Sequence, residues 1–193
     1  MAKVSFSKCV FVTSAGEKKQ FRKDHPVVTI MGRSNVGKST LINTICVNGK
    51  MMKTSNKPGR TQLVNYCLID DSFYLADVPG YGFARFRRDS FEGLMKDFIE
   101  DNPVLKKVYL CIDSRRLLQE GDLEFADYLE SLSMPYSVLF TKSDKLNTSE
   151  KHFLQVQLDT LHRERPDVKA FVTSMKQDDV IADIRKDMKQ AVR

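Results

Sequence analysis

Residues 32–39 read Gly-Arg-Ser-Asn-Val-Gly-Lys-Ser, a full match to the phosphate-loop pattern G-x-x-x-x-G-K-[ST]. The chemistry this spacing serves is the cradling of a polyphosphate. Backbone N–H groups and a helix N-terminus converge on one anion, and glycines permit the turn and the close approach. Gly32, Arg33, Ser34, Asn35, Val36, Gly37 and Thr40 supply that cradle. Lys38 would reach the β- and γ-phosphates as the catalytic cation, and the Ser39 hydroxyl would ligate Mg²⁺. The competing reading is an ordinary Gly-rich turn. The flanks argue against it: Pro26–Met31 is β-branched and apolar like a buried strand, and Leu41–Val47 spaces apolar residues like a helix. The pattern therefore predicts nucleoside triphosphate binding.

Further signals fall where strands end. Asp77-Val78-Pro79-Gly80 closes a predicted strand; Asp77 can hold the Mg²⁺ shell and Gly80 can offer its N–H to a γ-phosphate. Alone, such a D-x-x-G is a common turn. Thr141-Lys142-Ser143-Asp144 ends another strand and addresses the base. Guanine presents N1–H and N2–H₂ side by side, so one carboxylate accepts both, whereas adenine would leave Asp144 unpaired. The aliphatic stem of Lys142 can pack on the base plane. By itself this segment is equally a polar strand-to-helix turn. Thr173-Ser174-Met175 ends the last predicted strand, where a backbone N–H could meet guanine O6. Pro58-Gly59-Arg60-Thr61-Gln62 sits in a polar loop, Lys50–Arg60, that reads as mobile; a threonine there could close on Mg²⁺ as a switch. Position alone does not choose Thr61 over Thr54 or Ser55.

The elements that must hold these residues alternate strand and helix. Strands are predicted at Pro26–Met31, Gln62–Ile69, Phe73–Asp77, Lys107–Ile112, Tyr136–Phe140 and Val168–Thr173. Asp70-Asp71-Ser72 is a hairpin turn, which makes one strand antiparallel. Helices are predicted after the phosphate loop, at Asp89–Glu100 with Phe91, Leu94, Met95 and Phe98 inward, and at Gly121–Leu132 with Leu123, Phe125, Ala126 and Leu129 inward. Two more run from the cap Asn147-Thr148-Ser149-Glu150 to Arg163, and over Asp179–Val192. This is an α/β fold: a mostly parallel six-stranded sheet with helices on both faces and ligands at the carboxyl ends of the strands. Residues 1–25 form a leading strand or packed arm, and 26–193 the nucleotide-binding core of a single domain.

Composition sets the outer bounds. The chain has 193 residues, 41% hydrophobic and 29% charged, as soluble globular proteins do. No run approaches the roughly 20 apolar residues that span a bilayer, and the N-terminus lacks the apolar centre of a secretory signal. Cys9, Cys46, Cys67 and Cys111 lack C-x-x-C spacing and read as reduced core thiols of a cytoplasmic protein; His25, His152 and His162 read as surface residues. The net charge of +6 tilts mildly toward a polyanionic partner. Tyr81–Arg88 interleaves aromatics with Arg85, Arg87 and Arg88 directly after Gly80, a pattern suited to RNA or simply to a solvated loop.

Taken together, the phosphate loop, Gly59-Arg60-Thr61-Gln62, Asp77-Val78-Pro79-Gly80-Tyr81-Gly82, Thr141–Asp144 and Thr173-Ser174 resemble the EngB (YihA/YsxC) family of small GTPases, from about Phe6 to Ala191. The resemblance implies a Ras-like P-loop GTPase fold, Mg²⁺ dependence through Ser39, Thr61 and Asp77, and a monomer binding GTP and GDP. It implies a role in assembly of the large ribosomal subunit, with that particle or its precursor as partner and no membrane. It singles out Thr61 as the switch threonine, so that Lys38, Thr61 and Gly80 form the catalytic set. It also places Asn35 where related GTPases help ligate K⁺; the plainer role for Asn35 is a hydrogen bond that shapes the loop. Tyr81 stands where Ras-type enzymes carry a water-orienting Gln, so hydrolysis is expected to be slow. A guanine-nucleotide-dependent RNA- or protein-binding module with incidental hydrolysis is the alternative.

Overall fold

The computed structural model describes residues 4–47, 63–78, 89–174 and 178–193. Its strands are β1 (Cys9–Ala15), β2 (Val27–Met31), β3 (Val64–Ile69), β4 (Phe73–Asp77), β5 (Leu105–Asp113), β6 (Tyr136–Thr141) and β7 (Lys169–Val172). Its helices are α1 (Lys38–Ile45), α2 (Asp89–Glu100), α3 (Glu120–Ser131), α4 (Thr148–Glu164) and α5 (Asp178–Ala191). One seven-stranded sheet runs in the order β1-β3-β4-β2-β5-β6-β7. Every residue of β2, β4 and β6 is buried, because central strands of a sheet covered on both sides lose their polar face.

β3 runs antiparallel to both of its neighbours, while the other pairings are parallel. The connection Asp70–Ser72 joins β3 to β4 by a turn closed by the Ser72 N–H on the Ile69 carbonyl at 2.9 Å, with its central residues Asp70 and Asp71 left-handed at φ 46° and 53°. The sheet has one strand more than the six expected, because the leading segment pairs along β3 from Cys9 to Ala15. Its register slips between Phe11 and Thr13, so Val12 bulges out of the ladder. Val10, Phe11 and Val12 stay exposed on this edge.

Apolar side chains fill both faces. Leu94, Phe98, Ala126, Leu129, Leu154 and Leu161 bring α2, α3 and α4 onto one side. Leu41, Ile42, Ile45, Ile181, Ile184 and Met188 bring α1 and α5 onto the other. In α3 the expected inner face is corrected: Leu123 is 40% exposed, and Asp122 is buried instead. Asp122 accepts from the Gln119 backbone N–H at 3.0 Å, so the helix turns its cap inward and rotates Leu123 out. Phe91 lies outside the described side chains. All four cysteines are buried and unoxidised. His152 and His162 are exposed, whereas His25 is half-buried, its ring edge-on to Tyr74 at 5.5 Å. No described helix is long and apolar enough to cross a membrane.

The cap of α4 forms as expected. The Glu150 N–H donates to Asn147 Oδ1 at 2.9 Å, and the Asn147 N–H donates to Glu150 Oε2 at 2.8 Å. This reciprocal pair fixes the start of α4 just after the turn that bears Asp144. Asn147→Ala is expected to cost about 1 kcal/mol of stability, read from urea unfolding, without changing the folded sheet.

Candidate nucleotide-binding site

The site is built at the carboxyl ends of β2, β4, β5, β6 and β7. The chain leaves β2 at Met31 and enters α1 at Lys38 through the loop 32–37. Gly32 has φ 153°, and a Cβ there would collide with the Cys111 carbonyl oxygen on β5, so only glycine lets the loop lie this close to the sheet. Gly37, at φ 104°, caps α1 with no side-chain hydrogen bond. The first N–H groups of the helix thus have no side chain competing with an anion. Asn35 adopts φ 64°, tolerated by its short polar side chain, and Val36 is buried, so it can offer a ligand only its backbone.

Lys38 Nζ donates to the Gly32 and Arg33 carbonyls at 2.8 and 3.0 Å, arching over the loop it belongs to. Burial lowers the pKa of Lys38, and the charge of Asp77 works against that fall. Asp77, at the end of β4, is 4% exposed. Burial pushes its carboxyl up to about 6, despite Lys38 and a hydrogen bond from Ser39. Its Oδ1 has no partner among the described residues. A buried carboxylate oxygen without a partner, beside the Ser39 hydroxyl, fits Mg²⁺, which takes one or two protein oxygens and completes its shell with water and phosphate. No group of three His, Cys, Asp or Glu side chains forms a metal cage among the described residues, and Mg²⁺ of this kind needs none.

The side on which the sequence predicts the base is assembled by β6 and β7. The Thr141 hydroxyl faces the Val36 carbonyl at 2.5 Å and the Ile112 carbonyl at 3.1 Å, so Thr141 props the phosphate loop from behind. Lys142, at φ 60°, donates to the Asn35 carbonyl at 2.6 Å and to Asp113 Oδ2 at 2.9 Å. Asp144 sits on a short turn, Ser143–Lys145, and a cleft opens beside it, walled by Leu146, Leu154, Leu158, Val172 and Ser174. Thr173 and Ser174 are buried, and the Ser143 N–H donates to the Thr173 carbonyl at 3.3 Å, tying the ends of β6 and β7 together.

Of the residues predicted from sequence, Gly32–Thr40, Asp77, Thr141, Lys142, Asp144, Thr173 and Ser174 therefore gather along one edge of the sheet. Gly59, Arg60, Thr61, Gly80 and Met175, with the Tyr81–Arg88 stretch, lie outside the described residues. Sequence reasoning missed Asp113. It ends β5, 4% exposed, and receives the Arg115 Nε at 2.9 Å and Nη2 at 2.6 Å besides Lys142. The available signal was its place as the polar residue closing an apolar run, the logic that found Asp77.

Residues 27–142 match the family model described as "50S ribosome-binding GTPase". A probable GTP-binding protein EngB of Solibacter usitatus is 42% identical over 152 residues, covering 77% of this chain and 80% of that one. The corresponding protein of Clostridium beijerinckii is 39% identical over 173 residues, 87% of each. Among solved structures, a probable GTP-binding protein engB superposes with a TM-score of 0.64 at 25% identity, covering 86% of this chain and 98% of that one. Era in complex with MgGDPNP and part of 16S ribosomal RNA superposes with a TM-score of 0.68 at 18% identity, over 89% of this chain and 58% of that one, which shows a shared fold.

Proposed function

The chain belongs to the EngB family of GTP-binding proteins and is a GTPase, and on that premise we propose that its nucleotide cycle serves assembly of the large ribosomal subunit in the cytoplasm. Carrying the reading is the meeting of loop 32–39, Asp77 and Asp144 on one sheet edge, in a chain whose residues 27–142 fit a ribosome-binding GTPase family. The phosphates lie over the loop, with Lys38 moving from the Gly32 and Arg33 carbonyls to the β- and γ-oxygens. Ser39 and Asp77 would hold Mg²⁺, with Thr61 as the third protein oxygen in the GTP state. When bound, the metal would supply positive charge to the phosphate oxygens. Gly80 would offer its N–H to the γ-phosphate, and the Asn35 side chain would help to hold a K⁺, whose chemistry would be added positive charge at the phosphates.

Asp144 selects guanine, Lys142 covers the base, and the Thr173-Ser174-Met175 segment meets O6. Gly59, Arg60 and Thr61 complete the nucleotide-binding set. With Tyr81 in place of a water-orienting Gln, the isolated protein hydrolyses GTP slowly, as unaided Ras does at about 10⁻⁴ s⁻¹. The monomer docks on the large subunit or its precursor in the GTP state, through Arg85, Arg87 and Arg88. Two measurements test this. GTP and GDP, but not ATP, are expected to displace a fluorescent guanine nucleotide. Purified large-subunit particles are expected to co-sediment with the protein and a non-hydrolysable GTP analogue, and to lose it with GDP. Co-sedimentation indifferent to the nucleotide would leave the protein a GTPase with no switch on the ribosome.

A further inference from the structure

Asp113 does more than an ordinary buried acid needs. Its carboxylate takes four donors: the Arg115 N–H at 3.2 Å, Arg115 Nε and Nη2 at 2.9 and 2.6 Å, and Lys142 Nζ at 2.9 Å. Arg115 alone, two residues on, would satisfy it by the bidentate grip typical of such pairs. Lys142 instead arrives from the end of the neighbouring strand β6, with its backbone in the left-handed region that few residues other than glycine accept. The same ammonium goes on to the carbonyl of Asn35. Three segments therefore meet at one nitrogen: the end of β5, the turn that carries Asp144, and the phosphate loop.

We propose that Asp113 is a positioning residue for the bound nucleotide: its carboxylate sets Lys142 against the Asn35 carbonyl and so holds the Asp144 turn and the phosphate loop in one register. Arg115 keeps the carboxylate in place and shields it from water, its own side chain still 47% exposed at the rim. Burial opposes the charge on Asp113, but the bonds from Arg115 and Lys142 outweigh burial and hold its carboxyl well below the usual carboxylate range. The anchor thus stays ionised at neutral pH. A bound guanine nucleotide spans both segments that Lys142 joins, with its base at Asp144 and its phosphates at the loop. Loss of the anchor leaves Lys142 with a single carbonyl and lets the two halves of the site drift apart, so affinity falls without any contact to the ligand being removed.

This inference rests on the reading of residues 141–144 as the base-selecting turn. Its test is a double-mutant cycle on GDP affinity, using a fluorescent GDP and the variants Asp113→Ala, Lys142→Ala and the pair. Asp113→Ala is expected to weaken GDP about tenfold or more, the scale of one hydrogen bond to a charged group. In the Lys142→Ala background the same change is expected to shift GDP affinity by less than about twofold, within the error of additivity. Asp113→Asn, which keeps the shape and one acceptor, is expected to fall between wild type and Asp113→Ala. If Asp113→Ala does not fold, Asp113→Asn is carried through the same cycle. Wild-type affinity in the Asp113 variant, or an equal loss in both backgrounds, overturns the proposal and leaves Asp113 a structural acid. ATP competing equally at the wild-type site would sink the guanine reading itself, a failure that the cycle does not mimic.

Discussion

Replacing Asp144 with Asn is expected to move the protein from guanine to xanthine nucleotides. In the proposed site the carboxylate would accept from N1–H and from the N2 amino group of guanine, both of which only donate. Asn offers one acceptor and one donor. Toward guanine, its amide NH₂ faces the N2 amino group, and a buried donor is left against a donor. Xanthine keeps N1–H but has a carbonyl at C2, so the same amide finds two good bonds. Sites that lose a matched polar pair discriminate by several orders of magnitude, so GDP affinity is expected to fall at least about 100-fold and XDP to become the better ligand. Among the described residues, little competes for the Asp144 carboxylate. Its neighbour Lys145 is 3.6 Å away with its side chain 64% exposed, a pair too solvated to hold it. Competition of GDP and XDP against one fluorescent nucleotide, on wild type and variant, decides the matter. An unaltered preference for GDP would place base selection elsewhere than Asp144.

What the sequence revealed depended on whether a signal was local. Asp89–Glu100 and Phe73–Asp77 fall where the periodicity puts them, because each element's burial pattern is written within its own span. The Asn147 cap is equally local, since both partners lie within one turn. β1 reads equally as strand or arm because Val10, Phe11 and Val12 are consecutive apolar residues with no alternation; a bulge and an exposed edge remove the period of two. Leu123 was misplaced because its stripe is as apolar as the true one, and only the inward cap at Asp122 rotates the helix. In the site, loop 32–39 was legible because its chemistry needs particular residues at fixed spacing. Asp113 was not, since its meaning lies in Lys142, 29 residues away, and in a carbonyl of the phosphate loop that no pattern names. The same holds for Thr141, which read as part of the nucleotide set but turns its hydroxyl to the back of the loop.

Asp77→Asn is expected to make the nucleotide-free protein more stable and its nucleotide binding blind to Mg²⁺. A carboxylate with a partnerless oxygen in the interior is a cost to the fold, and the rise of its carboxyl to about 6 expresses that cost. The sign follows from the direction of the shift. With a folded pKa above the unfolded one, the folded state holds its proton more tightly. The contribution of Asp77 to stability is therefore full below about pH 4 and is lost as pH rises through about 6. A shift of roughly two units corresponds to something under about 3 kcal/mol at neutral pH, and the neutral amide escapes it. Asp77→Asn should accordingly exceed wild type in stability at pH 7.5 and lose most of that advantage by pH 4, as read by urea unfolding without nucleotide. The same exchange removes the anion that a dication requires. Wild-type GDP affinity is expected to rise on the order of 100-fold with Mg²⁺ over EDTA at pH 7.5, and to rise far less below pH 6, where a proton competes for the carboxylate. The variant is expected to show no such rise at either pH. A variant no more stable than wild type at neutral pH, and still tightened by Mg²⁺, would remove Asp77 from the metal site. The two effects share one proposed origin: the oxygen that the fold leaves without a partner is the oxygen that would bind the metal.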